Sequence, residues 1–108
     1  MSFLCLLLLG LPQAPSAAGS DGRTLEVVTT LGVLADLTRA VGGAHVHVET
    51  LSDPRQDPHT VEPRPTLMQK ARSAELFVEV GLQLELWAEK VVAGSGNPRI
   101  QAGQPGRV

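Results

Sequence analysis

Leu25-Glu26-Val27-Val28-Thr29-Thr30 is short, rich in β-branched residues and apolar on both parities, the pattern of a strand covered on both faces of a parallel sheet. Directly after it the period changes. Val33, Leu34, Leu37 and Val41 recur at helical spacing, and Gly42-Gly43 supplies a stop able to take positive φ. Val46-His47-Val48-Glu49-Thr50-Leu51 then returns to strand character. Strand, helix and strand in that order imply a parallel pair with a right-handed crossover.

Working outward, Ser52 to Pro65 carries Pro54, Pro58, Pro63 and Pro65, which forces an extended loop. Pro65 suits the first position of a helix reaching about Ser73, with Leu67, Met68 and Ala71 on its inner face and with Arg64 as a poor cap. Leu76-Phe77-Val78-Glu79-Val80 reads as a third strand. Leu84, Trp87, Ala88 and Val91 form the stripe of a third helix, which sets Glu85 and Glu89 on its outer side. Lys70, Arg72, Glu75 and Glu79 read as solvated faces or strand ends. The expected fold class is therefore α/β, a parallel sheet with flanking helices.

The first 20 residues hold no charged side chain, and Phe3 to Leu11 is apolar apart from Gly10 before Ser16-Ala17-Ala18 supplies small residues. This is the shape of a secretory signal with cleavage after Ala18, too short in its apolar run for the ~20 residues of a membrane span, although the usual basic n-region is absent. Residues 1–18 are thus expected to be a signal peptide and 19–93 one α/β lobe. Residues 94–108 turn to Gly, Pro and polar residues. They are expected to be a frayed tail in which only Arg99-Ile100-Gln101 resembles an edge strand.

The net charge of −2 offers no basic footprint for nucleic acid and no polybasic membrane patch. Cys5, the only cysteine, lies in the expected leader, which leaves no thiolate ligands and no disulfide framework. No nucleophile stands beside a base at recognisable spacing, and no glycine-rich phosphate loop is present. Catalytic residues are accordingly not expected.

The chemistry concentrates in Asp53-Pro54-Arg55-Gln56-Asp57-Pro58-His59-Thr60-Val61-Glu62-Pro63, just past the carboxyl end of a strand, where open α/β sheets bind ligands. Pro58 fixes its own φ and restricts Asp57, so the His59 imidazole leaves a stiff loop with little orienting entropy left to lose. That suits a metal ligand. Its other ring nitrogen needs an acceptor to fix the tautomer, and Asp57 and Glu62 are both near enough in sequence. His45 and His47 could share one strand face, but a polar start of a strand facing solvent explains them with no third ligand beside them. Trp87 and Met68 fall on helical stripes and belong to the core.

These segments together resemble the N-terminal lobe of the zinc- and manganese-binding solute receptors that serve bacterial ABC importers. The residues carrying the resemblance are Val27-Val28-Thr29-Thr30, Leu34-Ala35-Asp36-Leu37, Val41-Gly42-Gly43, Gln56-Asp57-Pro58-His59-Thr60, Glu62-Pro63, Lys70-Ala71, Ala74-Glu75-Leu76, and Gly81-Leu82 through Glu85 and Trp87. The sequence departs from the family pattern at Leu31-Gly32, Val80 and Leu86. The resemblance implies two lobes with the metal in the cleft between them, of which this chain holds one incomplete lobe. It also implies that the histidine of the Asp-Pro-His loop, His59 here, is the first metal ligand, and that the remaining ligands lie further along than Val108. The expected function is extracytoplasmic or periplasmic capture of Zn2+ or Mn2+ by a non-enzymatic monomer, for delivery to an ABC permease. The alternative is a surface adhesin or non-binding fragment of the same fold. A third reading is a small hydrolase using Asp53, Asp57 and His59 on a metal-activated water.

Overall fold

A computed structural model describes residues 22–108. The expected leader, residues 1–18, lies outside the described residues. Strands β1 (Leu25–Thr29), β2 (Val46–Thr50) and β3 (Leu76–Val78) alternate with helices α1 (Gly32–Gly42), α2 (Pro65–Arg72) and α3 (Ala88–Ser95). Short 3-10 turns occupy Gly43–His45 and Pro98–Ile100. The strands pair in the order β2-β1-β3, all parallel, with Val27 opposite Val48 and Val28 opposite Phe77. This is the expected α/β architecture. No helix among the described residues is long and apolar enough to cross a membrane.

From β1 the chain moves to β2 on one side and then crosses back to β3 on the other. Two crossovers of the same hand running in opposite directions must place their helices on opposite faces. The side chains obey this. Val27, Ala35 and Val48 form a small cluster under α1, with Val46, Leu76 and Val78 packed against it. Val28, Phe77, Leu67, Ala71, Trp87, Val91, Val92 and Ile100 belong to a much larger cluster with α2 and α3. The pleat alternates within each strand, so neighbours Val27 and Val28 serve different cores.

Three expectations are corrected. Most of the apolar stripe of α1 faces solvent: Val33, Leu37 and Val41 are 59%, 59% and 92% exposed, Leu34 is half-buried, and Ala35 is the residue that the helix buries. Only a small side chain lets α1 lie close on β1 and β2. The third helix begins at Ala88 and not near Leu84: left-handed Gly81, Leu82 and Gln83 bar any earlier start, and residues 84–87 continue as turns, with Leu84 N–H donating to Gly81 O and Ala88 N–H to Glu85 O.

The third correction concerns the tail, which is packed and not frayed. Gly96 ends α3 in the left-handed region, and Asn97 Nδ2 donates to Ala71 O at 3.0 Å and Ala74 O at 2.7 Å, satisfying carbonyls at the end of α2. Residues 99–101 are no strand, since Ile100 closes a 3-10 turn and is fully buried. The sheet edge is extended instead by residues 106–108, where Phe77 N–H donates to Gly106 O at 2.7 Å and Val108 N–H to Phe77 O at 3.0 Å. Gly106 is required there, since a Cβ would sit 2.5 Å from Arg99 O and 2.7 Å from Glu75 O.

Arg107, its side chain 8% exposed, donates from Nε to Glu79 Oε1 at 2.8 Å and from Nη2 to Glu89 Oε1 at 2.5 Å. Glu79 is therefore a paired strand end, not a solvated face. So is Glu75, whose carboxylate pairs with Arg23 and Arg99 and accepts the Glu26 backbone N–H at 3.0 Å.

Candidate metal-binding loop

The chain leaves β2 still bonded to β1, with Leu51 N–H donating to Thr29 O at 2.9 Å and Ser52 N–H to Thr30 O at 3.1 Å. Two four-residue turns of one construction follow. In the first, Asp53 O accepts from Gln56 N–H and Asp53 Oδ1 from Arg55 N–H, both at 2.9 Å. In the second, Asp57 O accepts from Thr60 N–H at 3.1 Å and Asp57 Oδ1 from His59 N–H at 2.9 Å. Each turn starts with an aspartate whose side chain caps the residue two places on, and each has proline next, with the φ that a turn wants there. What differs is the third residue, Arg55 in one and His59 in the other.

His59 Nδ1 lies 3.1 Å from Asp57 Oδ1, and the imidazole is 62% exposed. A carboxylate can only accept, so Nδ1 is the nitrogen that donates, and in the neutral imidazole the lone pair is on Nε2. The His59 backbone N–H, and after it the ring, holds the Asp57 carboxyl below the usual carboxylate range. Of the two acceptors left open by the sequence, Asp57 meets the ring. Glu62 is exposed, and its backbone carbonyl accepts from Arg64 N–H at 2.9 Å.

Two residues that the sequence reading placed elsewhere or gave only a packing role brace this loop. Trp87, buried as expected, also donates its indole N–H to Pro58 O at 2.7 Å. Glu85, expected on an outer face, is buried. Its Oε1 accepts from Thr30 Oγ1 at 2.5 Å and Val80 N–H at 2.9 Å, and its Oε2 from Gly81 N–H at 3.0 Å. The carboxylate thus closes the crevice where the loops after β1 and β3 diverge to opposite faces, the usual ligand position in such sheets. One signal was available: Thr29-Thr30 ends a doubly buried strand, and a buried hydroxyl needs a partner.

A cavity of about 480 Å³ opens beside the loop, lined by Leu31, Asp36, Arg39, Thr50, Asp53 and Pro58 among others, but not by Asp57 or His59. His47 Nδ1 turns to Glu26 Oε2 across the sheet at 2.8 Å, while His45 ends the 3-10 turn, so the two histidines do not converge. Asp53, Asp57 and His59 do not assemble either. Among the described residues no group of three His, Cys, Asp or Glu side chains is placed to hold a metal ion.

Comparison with known proteins now bears on this loop. Residues 27–105 match the family model described as zinc-uptake complex component A, periplasmic (ZnuA). The metal ABC transporter substrate-binding lipoprotein FimA of Streptococcus parasanguinis is 35% identical over 81 residues, covering 71% of this chain and 26% of the relative. The manganese ABC transporter substrate-binding lipoprotein PsaA of Streptococcus pneumoniae is 34% identical over 96 residues, covering 83% and 31%. Among solved structures, ZnuA superposes with a TM-score of 0.62 at 31% identity over 68% of this chain and 29% of its own. The periplasmic zinc-binding protein TroA of Treponema pallidum does so with 0.65 at 26% identity, over 79% and 28%. The chain therefore spans less than a third of the length of each of these proteins.

Proposed function

Because this chain belongs to the family of the periplasmic zinc-uptake complex component A, we propose that it takes part in capturing a divalent transition metal outside the cytoplasm, with His59 as a metal ligand. The ion is Zn2+ or Mn2+, and it is cargo for an ABC permease, not a resident cofactor. Imidazole with oxygen donors suits either ion, and further nitrogen ligands would tilt the choice to zinc through its tetrahedral habit. The chain does no chemistry on its cargo. Export by residues 1–18 would bring it to the compartment where such capture takes place.

The observation that carries this reading is the Asp57-Pro58-His59 turn. One carboxylate oxygen accepts both the backbone and the ring N–H of His59, which fixes the tautomer and leaves Nε2 as a ready donor to a cation. A single imidazole is a small share of the four ligands that a closed zinc site uses. Completion of the site is assigned to a second lobe with further histidine and acidic ligands, supplied by a longer version of the chain.

Zinc titrated into the 108-residue chain should bind weakly, moving the His59 imidazole resonances in NMR spectra, and His59→Ala should abolish the response. Sub-micromolar affinity in calorimetry, or shifts centred on His45 and His47, would overturn the assignment.

A further inference from the structure

Resting on the metal-capture reading, we infer that Trp87 is a positioning residue for the metal ligand. Its indole N–H holds the carbonyl of Pro58, the residue between Asp57 and His59, and so sets where Nε2 is presented. Indole nitrogen is a donor only, and a buried ring must aim it at an acceptor. Here that acceptor is Pro58 O at 2.7 Å. Pro58 has no N–H, so its carbonyl is the one backbone group through which the residue can be held.

Trp87 is itself seated without slack. Two residues earlier, Glu85 is locked to the ends of β1 and β3 by three hydrogen bonds. One residue later α3 begins, with Ala88 and Val91 fully buried. The connecting segment carries Leu82 and Gln83 at φ of 53° and 68°, conformations that non-glycine residues keep only where the surroundings impose them. Glu85 closes this segment on itself, accepting the N–H groups of Val80 and Gly81 at the start of the run.

The two Asp-Pro turns show why a brace is needed. The first begins next to Ser52, whose N–H is bonded to β1. The second begins further out, and the indole returns it to the body of the lobe. Through Thr30, Glu85, Trp87 and Pro58, the position of His59 is referred to the sheet itself and not to the loop alone.

The test uses the full chain, isotopically labelled, with Zn2+ as the only probe. Trp87 is the sole tryptophan, so its indole resonance is unambiguous. In the wild type it should move in step with the His59 imidazole signals as zinc is added. Trp87→Phe keeps a buried aromatic ring but removes the donor. It should change the pattern of zinc-induced shifts at Asp57 and Thr60 and speed amide exchange at His59 and Thr60 while β1 stays protected.

An indole resonance that stands still while His59 responds would refute the positioning role. So would wild-type amide exchange at His59 and Thr60 in folded Trp87→Phe. Should that variant not fold, the wild-type indole signal decides. Zinc-induced shifts that survive His59→Ala point to a different failure, that of the metal reading itself.

Discussion

On one face of the sheet Val28 and Phe77 lie under α2, α3 and the 97–100 turn in a continuous apolar cluster. On the other, α1 covers β1 and β2, its Val33, Leu37 and Val41 stay open to solvent, and Leu34, Leu76 and Val78 are only half-buried. The strands are the same on both sides and so is their alternation. Burial thus depends on how many elements return to cover a face, and three return to one side and one to the other. Trp87, which bonds the His59 loop, and Glu85 two residues before it come from the segment that leads into the crowded side, so the His59 loop is tied to the better-built half.

The largest effect should come from emptying the crowded face. Phe77→Ala removes a fully buried ring and should cost about 3–5 kcal/mol, a large share of the stability of any small domain. Thermal or denaturant unfolding would register it as a chain that is barely folded. Survival with an unchanged midpoint would mean that this cluster is not the main core.

Next comes Gly106→Ala. Its new methyl meets two backbone carbonyls that cannot rotate away, so a loss of about 1–3 kcal/mol is expected, together with faster amide exchange at Phe77 and Glu79. Wild-type exchange rates would show that residues 106–108 do not pair with β3 in solution.

Leu37→Ser probes the thin face and should shift stability by no more than about 0.5 kcal/mol, as for most surface positions. A loss of 2 kcal/mol or more, well outside that roughly half-kilocalorie range, would break the comparison by revealing cover over α1.

The smallest effect lies where the crowded face runs out. Glu26 and His47 share the parity of Val28 but stand beyond the helices, and both stay substantially exposed. The hydrogen bond to Glu26, and after it the carboxylate's charge, raises the His47 pKa above its ordinary 6.5. A raised histidine contributes its stabilisation fully below the unfolded value and loses it as pH rises through the folded one. NMR titration should place the His47 midpoint above 6.5 in the wild type and closer to that value in Glu26→Gln. Coincident midpoints would show that the pair is open in solution.

Much of this was legible beforehand. The three strands and the span of α2 follow from period and from Pro65 at a helix start, both properties of a few adjacent residues. Trp87 is in the core as expected, and Met68, partly buried, packs against it. The Asp-Pro-His turn was readable for the same local reason, since proline stiffness and an aspartate side chain capping two residues on need nothing from the rest of the fold. Glu85 was not, because helical spacing sets it outside, whereas it lies in a turn ahead of α3 and its partners are Thr30, Val80 and Gly81. Nor was the role of Asn97, whose two acceptors lie 26 and 23 residues away in a segment whose composition reads only as turn.

Taken alone, the sequence settled the parallel α/β plan, the three main strands, the span of α2 and the proline-stiffened loop that carries His59, because each depends on torsional preferences and periodicity within a handful of neighbours. Only the tertiary structure decided which acceptor holds the His59 ring, that Glu85 is buried and Trp87 bonds the loop, that the Gly-rich tail pairs with β3, and that most of the α1 stripe faces outward. Those outcomes hang on partners brought together from distant parts of the chain, and a buried polar group takes whichever partner packing delivers to it.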